Sequence, residues 1–300
     1  MSLAPLTEAA VATEIARCVE FLRAGLADTR GAVLGLSGGI DSDVVARLLR
    51  RAVAPQRIKC FTVIQADMED RHLRQARELA AELDLCLVEL PLAGWAWGLI
   101  DALAVADPQE GFSTAAFLDV GRAKNSLRGT IYSTYHDRGY ITIGTSNRTE
   151  VECGFFVRFG DGQWHLGPIA HLYKTYVFQL AAALGSRPEV IAQPPSAGYW
   201  QGQSDLEDLG FWLVHGAPIG AQRGFTAGEI AAAAAYAADL DYPRLDAALA
   251  RLAAGERDLA RLAAASGLRI DTATRLGLLV AAARWGKGRP AGVTLSPLPD

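Results

Sequence analysis

Leu34-Gly35-Leu36-Ser37-Gly38-Gly39-Ile40-Asp41-Ser42-Asp43 is the stretch that decides how this chain folds. Ala32 to Leu36 is an apolar run of strand length, and Asp41-Ser42-Asp43-Val44-Val45-Ala46-Arg47-Leu48-Leu49 reads as an amphipathic helix. Two adjacent glycines join them, and they allow the backbone close to a ligand at φ values that other residues resist. A helix start adds unpaired N–H groups and the positive end of the helix dipole. Such a strand–Ser-Gly-Gly–helix junction predicts an anion site at the carboxyl end of a buried strand. Neither Gly-x4-Gly-Lys-Ser/Thr nor Gly-x-Gly-x-x-Gly occurs in the chain, so neither of those loops supplies it.

Working outward, Thr7 caps a helical pattern through Val11, Ile15, Val19 and Leu22. Ile58 to Ile64 reads as a second strand, Asp67 to Leu83 as a helix, and Leu85 to Leu90, stopped by Pro91, as a third strand. Tyr140 to Thr145 is a further strand, and Thr175 to Leu184 returns to helix. This alternation predicts an α/β fold, a doubly wound parallel sheet with helices on both faces and ligands beyond the carboxyl ends of its strands. Gly94 to Gly111 has no clean period and reads as irregular, with a short helix over Trp97 to Val105. Ser113 to Asp137 reads as helical with room for a break at Gly121, and Arg122, Lys124 and Arg128 give it a positive, solvated side.

The 300 residues are 50% hydrophobic, enough for one large α/β domain or two small ones. Net charge is −4, with a pI near 5.8 and no block of Lys and Arg, which argues against nucleic acid as a partner. Cys18, Cys60, Cys86 and Cys153 form no Cys-x-x-Cys and read as buried thiols in a reducing compartment. Met1 to Thr13 lacks the pattern of a secretory signal, and no apolar run is long enough to span a bilayer. The expectation is a soluble, cytoplasmic protein with no membrane partner.

The hexapeptide Ser37-Gly38-Gly39-Ile40-Asp41-Ser42 resembles the pyrophosphate-binding loop of the ATP pyrophosphatases, which split ATP into AMP and pyrophosphate. Further motifs follow in order: Gly144-Thr145-Ser146-Asn147-Arg148-Thr149-Glu150, Gly154-Phe155-Phe156, Phe159-Gly160-Asp161-Gly162, Pro168-Ile169-Ala170-His171-Leu172-Tyr173-Lys174-Thr175 and Pro194-Pro195-Ser196-Ala197-Gly198. Over residues 7 to 210 this succession looks like the ammonia-dependent NAD synthetases. The resemblance implies a two-step ligase reaction. The nicotinate carboxylate of deamido-NAD attacks the α-phosphate of ATP, pyrophosphate leaves, and ammonia converts the acyl-adenylate to NAD and AMP. Such chemistry needs positioning and positive charge more than covalent help.

By the same resemblance, Ser37, Gly38, Gly39 and Ser42 cradle the phosphates of ATP, and Asp41 and Glu150 hold Mg²⁺ through hard oxygen ligands. Lys174 and Ser196 stand near the phosphates, with Thr145 and Arg128 completing the ATP site. Phe155, Arg158, Asp161 and Lys287 match the deamido-NAD site, where Phe155 stacks on the pyridine ring. One of Phe155 and Phe156 is expected to be core packing instead. The family also implies a homodimer, and the absence of a visible amidohydrolase segment implies free ammonia or a separate glutaminase as nitrogen source.

The sequence departs from the family pattern at several points. Ser126 stands where the first arginine of an Ala-Arg-x-Arg segment is expected, Thr62-Val63-Ile64-Gln65 replaces a turn that receives adenine, and Leu206 interrupts an acidic pair. Gly286 stands at a histidine position. These departures spare the phosphate loop and the carboxylate pair, so they favour, as the alternative, a paralogue that adenylates and amidates another carboxylic acid. A tRNA-modifying thiolase is disfavoured by the absence of paired cysteines, and a nucleotide sensor by the retained carboxylates and Lys174. Residues 1–210 form the expected core and 211–240 an insertion with an Ala231 to Ala235 helical run. Residues 241–300 form a small C-terminal helical subdomain completing the same domain, with Ala247 to Ala265 patterned as two small helices.

Overall fold

Strand β1 (Gly31–Gly35) is central because both of its faces are apolar and both of its edges are paired. In the computed structural model, which describes residues 3–66, 68–115, 117–196, 202–215, 225–286 and 290–298, β1 lies parallel to β2 (Ile58–Ile64) on one side and β4 (Tyr140–Thr142) on the other. β3 (Leu87–Pro91) extends the sheet beyond β2, giving the order β3-β2-β1-β4, all parallel. A parallel bridge from Ile143 to Leu166 passes the sheet on to β5 (Gln163–Gly167), which pairs in parallel with β6 (Ala291–Thr294).

Alternation along β1 builds two cores. Ala32 and Leu34 face the helices Glu8–Leu26, Ile40–Ala52 and Lys174–Leu184, while Val33 faces Phe61, Tyr132 and Tyr140 beneath the helix Phe117–His136. The sheet is therefore covered on both faces, as the alternating sequence pattern predicts. The chain travels outward from β1 to β3, then crosses back to start β4 on the other side of β1. The loops leaving β1 and β4 thus diverge at a point where the strand order reverses, the place where open parallel sheets bind ligands.

A third core holds the helices Asp205–His215, Ala227–Asp239, Tyr242–Ala253, Leu259–Ser266 and Ile270–Gly286 together through Leu213, Leu249, Leu262, Leu276 and Leu279. Cys153 and Tyr173 join this core, so the helical layer packs directly on the segments that follow β4 and β5. Among the described residues, no helix is long and apolar enough to cross a membrane.

Four local expectations are corrected. Trp95–Ala106 is a regular helix, because Ala96 and Ile100 bury one stripe of it against Val120 and Ala123. The helix Phe117–His136 runs through Gly121 unbroken; one interior glycine costs only about 1 kcal/mol. Lys124 is buried with its ammonium over the Trp97 ring at 4.4 Å, not solvated. Strands β5 and β6 have no counterpart in the sequence reading, since each is short and takes its pairing from a distant segment. Three of the four cysteines are buried, and Cys86 is exposed.

Glu14, on the first helix, is buried against His171 Nε2 at 2.5 Å and accepts from Arg17 Nη1 at 2.6 Å. Burial alone would push its carboxyl up; the hydrogen bond and charge of His171, then Arg17, outweigh this and hold it below the usual range. A depressed carboxyl stabilises the fold above its unfolded pKa and loses that contribution as pH falls through its folded one. Glu14→Gln should therefore lower stability by about 2–4 kcal/mol near neutral pH. In urea titrations across pH, that penalty should shrink below about pH 4; a pH-independent penalty would remove the ion pair as its cause.

Candidate active site

The loop leaving β1 is built to bind an anion. Gly38 has φ +78°, and a Cβ there would lie 2.2 Å from the His72 carbonyl oxygen, so only glycine fits. Gly39 is the N-cap of the helix Ile40–Ala52 without any side-chain cap, which leaves the first-turn N–H groups to a ligand. Ser37 and Ser42 brace the turn: the hydroxyls lie 3.2 Å apart, Gly39 N–H donates to Ser37 Oγ at 3.2 Å, and Ser42 Oγ donates to Gly39 O at 3.0 Å. Asp41 follows on the first turn, where the dipole favours its charge.

The loop leaving β4 supplies the other half. Asn147 and Glu150 form a capping box on the helix Arg148–Cys153, which fixes the Glu150 side chain close to its own helix start. Asn147 Nδ2 donates to Glu150 Oε1 at 2.6 Å and to Asp41 Oδ1 at 3.0 Å, so one buried amide holds both carboxylates. Lys174, fully buried at the start of the helix Lys174–Leu184, donates through Nζ to Asp41 Oδ2 and stands 3.5 Å from Glu150 Oε1. Three elements distant in sequence therefore deliver one cation and two carboxylates to one point.

The electrostatics follow from that crowding. Burial pushes the Glu150 carboxyl well above the usual range, and the neighbouring Asp41 charge adds to it against the pull of Lys174. Burial would depress the Lys174 ammonium, but Asp41, Glu150 and Asp205 together hold it above its ordinary value, so it stays charged at neutral pH. Asp205 opens the helix Asp205–His215 and is brought to this cluster by the fold. Neither Asp205 nor Asn147 was singled out by sequence reasoning; the Asn147-x-x-Glu150 spacing was the available signal for the second.

Two cavities flank the site, one at the phosphate loop and one at the carboxylate cluster. The larger, a cleft of about 850 Å³ with its open mouth included, is lined by Ser37, Phe61, Thr62, Arg128, Thr145, Asp161 and Ser196 among others. The smaller, of about 300 Å³, lies between Glu150, Asp205, Phe155 and Tyr242. Phe155 packs on Trp212 with ring centroids 5.0 Å apart, while Phe156 is buried as core. Asp161 accepts from Val157 N–H at 2.6 Å and so closes the turn that carries Arg158, which is exposed. Lys287 and the end of the loop after Ser196 lie outside the described residues.

The family model for NAD synthase matches residues 14–214, two thirds of the chain. The chain is 36% identical over 203 residues to the NH(3)-dependent NAD(+) synthetase of Thermoplasma acidophilum, covering 66% of this chain and 78% of that protein. The chain belongs to the NAD synthase family. The enzyme of the same name from Carboxydothermus hydrogenoformans is 36% identical over 62% of this chain and 74% of its own length. Among solved structures, the NMN synthetase of Francisella tularensis superposes with a TM-score of 0.69 at 22% identity, over 96% of this chain and 98% of that one. The NH3-dependent NAD synthetase of Campylobacter jejuni gives 0.63 at 20% identity, over 92% and 94%. These two likenesses concern the fold.

Proposed function

We propose that this chain is an ammonia-dependent NAD synthetase, a ligase that adenylates the nicotinate carboxylate of deamido-NAD with ATP and amidates it to give NAD, AMP and pyrophosphate. The observation that carries the reading is the buried Lys174 held between Asp41 and Glu150, beside an uncapped helix start. In this reading the larger cavity takes ATP. The first-turn N–H groups of Ile40–Ala52 hold the phosphates, and Lys174 and Arg128 meet the charge that builds on the departing pyrophosphate. Because Lys174 is already fixed by its two carboxylates, no reorganisation is needed as the α-phosphate is attacked.

Asp41 and Glu150 suit Mg²⁺. Two carboxylates held side by side by one amide, one of them pushed up by burial and then by the charge of the other, are a hard oxygen donor set. When bound, the ion supplies neutralisation and polarisation of phosphate oxygens. Thr145 and Ser196 line the larger cavity and are assigned to ATP; Phe155 borders the smaller cavity beside Glu150 and is assigned to deamido-NAD together with Arg158 and Asp161 on the turn that follows it. Ammonia, free or from a separate glutaminase, is assigned as the nitrogen donor, and the free thiols fit a cytoplasmic enzyme.

Product analysis tests the reading. Pure protein with Mg-ATP, deamido-NAD and ammonium should yield NAD, AMP and pyrophosphate in equal amounts, and glutamine should not replace ammonium. Amide formation from the mononucleotide counterpart but not from deamido-NAD would overturn the substrate assignment.

We also assign a homodimer to the face formed by the helix Trp95–Ala106. Trp95 and Leu99, one turn apart, are 40% and 39% exposed, two large apolar side chains partly open on one face of the helix in the single chain. Leu99→Asp should convert the dimer to a monomer in sedimentation velocity while leaving the melting temperature of the isolated subunit nearly unchanged. A dimer that persists in this variant would place the interface elsewhere.

A further inference from the structure

Asp246 lies on the helix Tyr242–Ala253, fully buried. Its carboxylate accepts from Thr149 Oγ1 at 2.5 Å, from Thr175 N–H at 2.8 Å and from Thr175 Oγ1 at 2.6 Å. Thr149 Oγ1 in turn accepts from Lys174 N–H at 2.9 Å. The helix that begins at Lys174 has no side-chain cap of its own, since its N-cap residue is Tyr173. Asp246 supplies the missing cap from another helix, and by the same oxygens ties that start to the first turn of Arg148–Cys153. A carboxylate is favoured at both helix starts by their dipoles. The two first turns joined in this way are the ones that carry Lys174 and Glu150.

We propose that Asp246 is a positioning residue for the reaction: its carboxylate sets the spacing between the two helix starts, and through it the place of the Lys174 ammonium between Asp41 and Glu150. A core that needed only volume here would take a leucine or methionine, whereas a buried carboxylate carries a large desolvation cost that only a full set of donors offsets. Two hydroxyls and a backbone N–H provide that set. The helical layer thereby becomes part of the active-site framework, so a shift of Tyr242–Ala253 moves the lysine. The proposal rests on the roles given above to Lys174 and Glu150.

The test is a set of variants assayed for NAD formation, with folding followed by circular dichroism. Asp246→Asn preserves shape but turns an amide NH2 toward donors. It should lower kcat roughly 10–100-fold, the effect of displacing a reacting group by about an ångström. Thr149→Val should lower kcat in the same direction, and Thr149→Ser, which keeps the hydroxyl, should restore it to within about twofold of the wild type. In a Lys174→Met background, adding Asp246→Asn should cost less than about twofold more, because the residue it positions is already gone. A merely structural carboxylate would instead lower the melting temperature and leave kcat per folded enzyme intact; an effect on kcat that did not run through Lys174 would multiply with Lys174→Met. Folded Asp246→Asn with kcat within about twofold of the wild type, or a multiplicative double variant, overturns the proposal. Should Asp246→Asn fail to fold, equal kcat in Thr149→Val and Thr149→Ser overturns it. Should the wild type make no NAD, the functional reading has failed, and the clamp is read from Mg-ATP affinity by calorimetry. Weakening in Thr149→Val but not in Thr149→Ser then supports it, and equal affinities overturn it.

Discussion

Lys174→Met should lower NAD formation by roughly 10²–10³-fold, the cost of removing one preorganised charge from a water-excluded site. Lys174 is fully buried and held above its ordinary pKa by Asp41, Glu150 and Asp205, so it brings a permanent positive charge to the point where β1 and β4 end. Methionine keeps the length of the side chain and its packing but not the charge. Asp41 and Glu150 then meet with only the Asn147 amide between them. Glu150, already pushed up by burial and by Asp41, takes a proton in response, which limits the loss of stability but leaves no cation for the departing pyrophosphate. The expected pattern is a folded protein, a fall mainly in kcat and weakened binding of ATP. Steady-state kinetics with pyrophosphate detection checks it, and near-normal turnover would remove Lys174 from the reaction.

Gly38→Ala should reduce ATP affinity by at least about 100-fold and also destabilise the fold. The left-handed conformation alone costs an alanine about 1–2 kcal/mol. The new Cβ would also lie 2.2 Å from His72 O and 2.9 Å from His72 C, backbone atoms on the first turn of the helix Asp70–Glu82. Backbone in a helix cannot yield as a flexible side chain does, so the loop must move, and the phosphate site moves with it. Gly39 makes the contrast. Its φ is −89°, and a Cβ there would meet only Ser37 Oγ at 3.4 Å, an ordinary contact. Gly39→Ala should therefore melt within a few degrees of the wild type, while Gly38→Ala melts well below it. Calorimetric titration with ATP and thermal denaturation of both variants decide the matter; equal melting temperatures would mean that the loop accommodates either residue.

The local frame was legible because its signals are local. The strand run into Ser37-Gly38-Gly39, the Thr7 cap and the β-branched Ile58–Ile64 segment each carry their instruction within a few residues. Of the helix Trp95–Ala106 only the short piece Trp97 to Val105 was legible, because the segment is apolar nearly all round and shows no period that marks its bounds. Lys124 was misread for a related reason: a cation at a solvent-like position of a helical pattern says nothing of the Trp97 ring that covers it.

By itself, the sequence determined the parallel α/β frame, the anion loop at its switch point and the family, through motifs whose order survives without any knowledge of distance. The tertiary structure alone decided that Lys174, 133 residues from Asp41, is its partner, and that Asp246, 71 residues from Thr175, caps the helix that carries Lys174. It also brought Asp205 to the cluster and paired β5 with β6. The physical reason is range. Strand and helix patterns are written by neighbours along the chain, whereas a buried charge is satisfied by whichever groups the packed layers bring to it.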